Sequence, residues 1–375
     1  MRIVRHVAVL AAVGLLSLAA LAARAQSPGV RHAYETSHSV PTNIRGITGF
    51  AAPPAGFDAL HAADEQLAGY GLPPRPDLHA APEAYATWAR AMRTPSHRAT
   101  APLRDMHMSS TNGHRAGPAK LAAGLAATPS TISFYNWSGI ANTVPGLTAW
   151  NGNRSFYSVV SEFNVPVARQ ALGVCDGGWD YEVNWNGIDG LDNGDVLQGG
   201  SYSAAYCNNG STATDYCAWV EWYPSYPILC EFTVHPGDVM FVETWDTSST
   251  NGYVYIHDLT LGISATYHLQ PTQPPYLVGN SAEYIVERPC CDGTHDLTLA
   301  NYIENFWADS YAYTFAANRA GGATAQFPGA NAPSTYVISM VNDQNTQVIS
   351  VPVTGGHYDI TFSTENCARS GGCDP

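Results

Sequence analysis

Trp185-Asn-Gly-Ile-Asp-Gly190, Leu191-Asp-Asn-Gly-Asp195 and Val196-Leu-Gln-Gly-Gly200 run without a break, and their reading decides the fold. The polar middle, rich in Asp, Asn and Gly, is a turn signal between two short strand candidates, Tyr181–Ile188 and Asp195–Ser201. Period-two alternation puts Trp185 and Asp189 on one side of the first strand, and Gln198 and Tyr202 on one side of the second. The glycines after Gln198 leave room for another backbone to approach an amide held in a packed setting.

The same texture continues outward. Strand candidates recur at Phe156–Phe163, Cys217–Tyr223, Val239–Trp245, Tyr253–Leu259, Ser264–Leu269, Ala282–Val286, Tyr336–Met340, Val348–Val353 and Tyr358–Phe362. Turn signals such as Asn151-Gly152, Asn209-Gly210 and Asn251-Gly252 separate them. Helical periodicity is nearly absent, with Leu297–Trp307 the one ambiguous run. Many short strands without alternating helices argue an all-β, antiparallel β-sandwich from Thr131 to Pro375.

Upstream the composition changes. Arg2 and Arg5 precede an apolar run from Val7 to Ala23, and Ala23-Arg24-Ala25 has the form of a cleavage site, so residues 1–25 read as a secretory signal peptide. Export to the periplasm or the medium is expected, with no membrane association once the leader is removed. Residues 26–130 are rich in Ala, Pro, His and Arg and hold no cysteine. They read as a pro-segment or loosely ordered extension, with a short helical pattern from Pro82 to Met92 and a cleavable linker at the end. The eight cysteines all follow residue 170 and suit an oxidising compartment. Small loops closed by Cys207–Cys217 and Cys367–Cys373 are expected, with the adjacent Cys290 and Cys291 going to different partners.

Charge divides at the same boundary. Residues 26–130 carry nine Lys and Arg against seven Asp and Glu, whereas residues 131–375 carry five Arg, no Lys and 24 acids. So acidic a body excludes nucleic acid, whose binding depends on cationic contacts to phosphate. Seven of the thirteen histidines, His32, His38, His61, His79, His97, His107 and His114, lie in the N-terminal segment. Acidification therefore charges that segment while neutralising the body.

Several familiar chemistries are absent from the sequence. No HExxH or GxSxG occurs, and Asp246-Thr-Ser248 lacks the second half of an aspartic-peptidase dyad. Cys290-Cys-Asp-Gly-Thr-His295 reads as disulfide chemistry rather than a metal cluster in an exported chain. What remains is a set of polar residues on aromatic strands. Glu221 sits between Trp219 and Trp222, and Glu283 shares its face with Ile285 and Glu287. A carboxyl among apolar side chains has a raised pKa and suits proton transfer in acid. A carboxamide does not titrate but donates N–H to a developing oxyanion. On spacing alone, the same residues also read as polar groups satisfied inside a sandwich.

Seven ordered pieces of the chain resemble the eqolisins, the glutamic peptidase family. They are Trp137-Ser-Gly139, Trp185-Asn-Gly-Ile-Asp-Gly190, Val196-Leu-Gln-Gly-Gly200, Ala218-Trp-Val-Glu-Trp-Tyr-Pro224, Val234-His-Pro-Gly-Asp238, Asp258-Leu-Thr-Leu-Gly262 and Ala282-Glu-Tyr-Ile-Val-Glu287. The resemblance implies two curved antiparallel sheets, a concanavalin-like jelly roll, with the site on a concave face. It implies a Gln–Glu dyad falling on Gln198 and Glu283, and acid activity without metal or cofactor. Trp185, Asp189, Glu221 and, by position, Tyr202 would be substrate-binding residues. Where the family has tyrosine, aspartate and tryptophan, this chain has Val220, Tyr202 and Tyr284. The Val220 departure removes a hydroxyl expected near the substrate.

The expectation is a secreted acid endopeptidase, monomeric, acting on protein or peptide substrates and held latent by its own pro-segment. The alternative is a non-catalytic secreted sandwich that binds glycans or peptides in an aromatic groove.

Overall fold

Runs rich in Val, Ile, Tyr and Trp become strands because branched and aromatic side chains pack well on a pleated surface. The structure, a computed structural model, describes residues 28–36, 38–79, 81–99, 101–114, 116, 131–152, 154–170, 175–290, 296–314, 334–355 and 359–364. The expected signal peptide, most of the expected linker, and Cys291, Cys367 and Cys373 lie outside them.

The N-terminal segment contributes helices α1 (Pro28–Thr36), α2 (Asp64–Gly69) and α3 (Pro82–Arg93). It also contributes strands β1 (Ser39–Pro41), β2 (Ile47–Phe50), β3 (His97–Arg98) and β4 (Arg104–Asp105). The body begins with β5 (Thr131–Phe134), β6 (Trp137–Thr143), β7 (Phe156–Asn164), β8 (Asp176–Ile188) and β9 (Val196–Asn208). It continues with β10 (Ser211–Tyr223), β11 (Leu229–Phe232), β12 (Val239–Ser248), β13 (Asn251–Asp258) and β14 (Ile263–Leu269). Last come β15 (Ser281–Glu287), β16 (Asn305–Thr314), β17 (Ser334–Val341), β18 (Val348–Thr354) and β19 (Ile360–Thr364). The ambiguous run before Trp307 is not helical; β16 takes its end.

Apart from β5, which pairs in parallel with β17, the body strands form one continuous antiparallel ladder. Its first arm runs β11–β10–β9–β8–β15–β6–β17. The second runs β19–β16–β7–β12–β13–β14, and β18 joins the two. Asn209 and Gly210, both at positive φ, make the two-residue turn between β9 and β10. A type I′ hairpin demands that conformation, which is why Asn-Gly stands there.

The ladder folds back on itself, and side chains stitch the arms together. Asn186 on β8 donates to the Val242 carbonyl at 2.9 Å, and Thr244 on β12 donates to the Asn186 Oδ1 at 2.9 Å. Ile188, Leu197, Val220, Trp222, Val242, Val254, Ile256 and Tyr284 fill the space between. Each fully buried side chain of this size is worth about 1.5–3 kcal/mol. Val220 and Tyr284 thus belong to the core between the arms, on the faces of β10 and β15 opposite Glu221 and Glu283. The expectation that Val220 removes a hydroxyl near the substrate is corrected by that parity.

Both outward faces are also apolar, and the N-terminal segment covers both. Phe241, Trp245, Tyr253, Tyr255, Tyr311 and Tyr313 on the second arm pack under Val30, Tyr34, Leu67, Leu72 and Trp88. In α3, Ala84, Trp88 and Ala91 recur at helical spacing and are buried, and Pro at the start pre-sets the first turn. The helix stops at Thr94, whose successor Pro95 disfavours the helical region. Arg90 in its last turn makes a two-pronged contact with Glu162 (3.1 and 2.7 Å) and reaches Asp309 at 2.8 Å. β2 and β3 add to the edge of β14, and β4 adds to β11. Loose order does not describe these residues, because they bury their apolar side chains against aromatics that would otherwise face water.

Two disulfides lie in the first arm, Cys175–Cys207 and Cys217–Cys230. They replace the expected Cys207–Cys217 loop. Each links its cysteine to another chain segment instead of closing the β9–β10 hairpin, where Cys207 already pairs with Thr212 and Cys217 with Tyr202.

Candidate active site

The first arm's outward face carries the polar residues singled out from the sequence, and strand register decides which of them meet. Gln198 on β9 pairs with Glu221 on β10 and with Gly187 on β8. Gly187 in turn pairs with Glu283 on β15. Directly paired residues point to one side of a sheet, so Gln198, Glu221 and Glu283 share a face with Trp185, Ile285 and Glu287. A Cβ at Gly187 would stand 3.1 Å from the Gln198 Cβ and 2.8 Å from the Leu197 carbonyl oxygen. Glycine therefore keeps the floor of this face open.

Residues 104–114 of the N-terminal segment cross that face in extended form. Met106 and Met108 exchange backbone hydrogen bonds with Ile228, at 3.1 and 2.9 Å. Ser109 pairs with Cys290 in both directions, at 2.8 and 2.7 Å, and Gly113 donates to the Gly190 carbonyl at 2.9 Å. The Trp137 indole donates to the Thr111 carbonyl at 3.1 Å.

Between these anchors the crossing segment meets the polar cluster. Gln198 Nε2 donates to the Ser110 carbonyl oxygen at 2.9 Å and to Glu221 Oε2 at 3.2 Å. Glu221 Oε2 also accepts the Ser110 N–H at 2.9 Å. Glu287 Oε1 accepts the Thr111 N–H at 2.9 Å and Asn136 Nδ2 at 3.2 Å, while its Oε2 accepts Trp185 Nε1 at 2.9 Å. The Ser110 hydroxyl bonds both Gln198 Oε1, at 3.2 Å, and Glu287 Oε2. Gln198 is thus oriented by Glu221, and Glu287 by Trp185 and Asn136. Trp137 packs edge-on against Trp185 at 5.0 Å and backs the indole.

Electrostatics favour neutral acids in this cleft. Burial pushes Glu287 well above the usual carboxylate range, opposed by its Ser110, Thr111 and Trp185 donors and reinforced by Asp296. Burial also raises Glu221; the Ser110 N–H opposes the shift and the neighbouring Glu287 adds to it. A carboxamide fixed between two such acids can only donate and accept; it cannot take the proton.

The remaining expected site residues are placed elsewhere. Glu283 is level with Gln198 in register, yet among the described residues neither of its carboxylate oxygens has a well-shaped hydrogen bond. Burial raises its pKa, with Ser281 opposing and Asp189 and Asp192 adding. Asp189, at φ 73°, spends its carboxylate on the backbone N–H groups of Val278, Gly279 and Asn280, at 2.7–2.9 Å. It clamps the turn that leads into β15. Tyr202 lies four residues along β9, buried 6.1 Å from the Tyr181 ring and outside the Gln198 contacts.

Sequence reading passed over Glu287, Asn136, Ser110 and Thr111. Glu287 left a signal, since it shares strand parity with Glu283, but parity cannot rank two acids on one face. Among the described residues no three His, Cys, Asp or Glu side chains converge as a metal site would require.

The sequence profile of the peptidase A4 family matches residues 135–362, more than half of the chain. The chain belongs to the peptidase A4 family. This A4 peptidase is a glutamic endopeptidase. It is 28% identical to aspergillopepsin-2 of Aspergillus niger over 246 residues, 60% of this chain and 77% of that one. Among solved structures it is similar to scytalido-glutamic peptidase with a peptide-based transition-state analogue, at 20% identity, TM-score 0.45, and 62% and 98% coverage of the two chains. It is also similar to aspergilloglutamic peptidase from Aspergillus niger, at 24% identity, TM-score 0.39, and 50% and 99% coverage.

Proposed function

We propose that the chain is an exported acid endopeptidase, made as a latent precursor, whose reacting pair is Gln198 and Glu287. One observation carries this reading. A peptide unit of the chain itself, Ser110–Thr111, lies with its carbonyl oxygen on the Gln198 amide and its N–H on Glu287. A scissile bond needs those two contacts, a donor for the oxygen that becomes negative and a proton carrier beside the leaving nitrogen. Glu287 takes the place that the resemblance assigned to Glu283, because the segment crossing the cleft meets one carboxylate and not the other.

The chemistry then balances without further groups. Ionised Glu287 takes a proton from water as the oxygen attacks the carbonyl carbon. Gln198 Nε2 donates to the resulting oxyanion. Glu287 passes the proton to the nitrogen as the C–N bond breaks, and is again ionised. Glu221 is a positioning residue that turns the Gln198 N–H groups toward the carbonyl. In the precursor, residues 104–114 hold the cleft dry; with them displaced, water returns and Glu287 ionises at lower pH.

The direct test is hydrolysis of an unfolded protein at roughly pH 3–4 by acid-treated precursor, with pepstatin or a chelator present. Hydrolysis that survives both additions is expected. No hydrolysis at any acidic pH would refute the reading.

A further inference from the structure

The segment in the cleft matches a substrate in its backbone and departs from one at a single side chain. Ser110 contributes the carbonyl that Gln198 Nε2 engages, and its successor contributes the N–H on Glu287. Yet the Ser110 hydroxyl also stands between Gln198 Oε1 and Glu287 Oε2. Water able to attack that carbonyl carbon must lie where Glu287 can take its proton, and the free lone pairs of the Gln198 amide oxygen are what remain to align it. A serine oxygen already occupies the point those two atoms define.

We infer that Ser110 makes this segment an inhibitor instead of a substrate: its hydroxyl fills the position of the attacking water while its carbonyl fills the oxyanion site. The inference rests on Gln198 and Glu287 being the reacting pair. The plug does not react in its own right. Attack of the Ser110 Oγ on its own carbonyl carbon would close a four-membered ring of Oγ, Cβ, Cα and C. Hydrogen bonding is consistent with the arrangement. One hydroxyl hydrogen faces two acceptor atoms, so Glu287 satisfies both contacts by holding a proton and donating it to Ser110, which donates to Gln198. Ser110 and Thr111 are buried, and backbone bonds at Ser109 and Gly113 hold the chain on either side, so the segment cannot shift to admit water beside the hydroxyl.

The test uses full-length precursor and its Ser110→Ala variant, acidified in parallel and followed by intact mass and N-terminal sequencing. Removing the hydroxyl vacates about one water's volume with two polar partners. The variant is expected to be cut between residues 110 and 111, giving a new N-terminus at Thr111 at least tenfold faster than wild type. Peptides spanning residues 104–116 provide the second measurement, added to acid-processed wild-type enzyme. The native peptide should inhibit and survive, and the alanine peptide should be hydrolysed at the same bond with loss of inhibition. Equal cutting of both peptides, or survival of both, overturns the inference. Digestion of an unrelated unfolded protein is the internal control. If that activity is present and no Thr111 terminus forms, the plug is refuted alone; if it is absent throughout, the peptidase reading falls and the plug with it.

Discussion

Exchanging each of the two candidate acids for its amide separates them. Glu287 accepts the Thr111 and Asn136 N–H groups on one oxygen and the Trp185 indole on the other. Glu287→Gln keeps the shape but turns one acceptor into a donor facing donors, which costs the precursor about 1–3 kcal/mol of stability. Its effect on catalysis is far larger, because two proton transfers pass through this one carboxyl. Each transfer is worth about 10²–10⁴, so a loss of at least about 10⁴ in kcat/KM is expected, about 5.5 kcal/mol of barrier. Glu283→Gln removes a buried acid whose oxygens make no well-shaped hydrogen bond among the described residues and which the crossing segment does not touch. It should leave kcat/KM within about tenfold, 1.4 kcal/mol. The assay is initial-rate hydrolysis of an unfolded protein by the acid-treated variants, with circular dichroism confirming the fold. An inactive Glu283→Gln beside a Glu287→Gln within tenfold of wild type would refute the assignment.

Further outcomes follow from the same contacts. Gln198→Ala should lower kcat by about 10²–10³, the effect of losing one oxyanion donor, and should cost the precursor about 1–3 kcal/mol because the Ser110 carbonyl loses its donor; a kcat loss below tenfold would remove Gln198 from the chemistry. Asp189→Ala strips three backbone N–H groups of their acceptor and should cost about 1–3 kcal/mol per group left unpaired, read as a lowered denaturant midpoint. Val220→Tyr, which restores the residue usual in the family, should destabilise by about 1–3 kcal/mol through overpacking between the arms; unchanged stability with altered substrate preference would contradict the inward orientation of Val220. Burial pushes Glu182 and Glu243 up to about 8, opposed by the Ser203 and Ser158 hydroxyls respectively. The folded state therefore binds more protons than the unfolded chain between pH 8 and about 4.5, and stability rises as pH falls through that window. His257 and His268, lowered to about 4 by burial, act oppositely between pH 6.5 and 4. Burial also raises Glu221, Glu283 and Glu287, so the carboxyls outnumber the two histidines, and the precursor's melting temperature should climb from pH 8 to 6.5 and go on rising toward pH 4.5; a fall from pH 8 to 6.5 would refute the sign.

Much of the body was readable because β-strand signals are local. Alternation located the strands to within a few residues at most ends, as with Phe156–Phe163 against the observed Phe156–Asn164. β8, β9 and β10 were the exceptions, running five, seven and six residues past the expected limits. Pro82 to Met92 announced α3 through the burial spacing of Trp88 and Ala91. What stayed hidden depends on distant pairing. Glu283 and Glu287 are equivalent by parity, and only the path of residues 104–114 distinguishes them. Cysteine spacing favours the nearest loop, whereas Cys217 reaches Cys230 because β11 adds to β10. The N-terminal segment looked loose because its Ala-, Pro- and His-rich composition carries a weak periodic signal. Its order comes from the aromatic surface it covers, which lies in another part of the chain.

That coverage bears on what remains after activation. Opening the cleft requires only that the strand over Gln198 and Glu287 leave. The helices sit on the opposite arm, over Phe241, Trp245 and Tyr253, and shedding them would present an aromatic patch to water that invites self-association. A cut after Gly113 leaves α1 to α3 with their burial and the Arg90 contacts intact. On the proposed reading the active particle would be a nicked heterodimer, whose inhibitory strand swings out of the cleft while still joined to the cap that stays on the opposite arm. Such an enzyme should migrate as one species on a sizing column and as two chains on a denaturing gel.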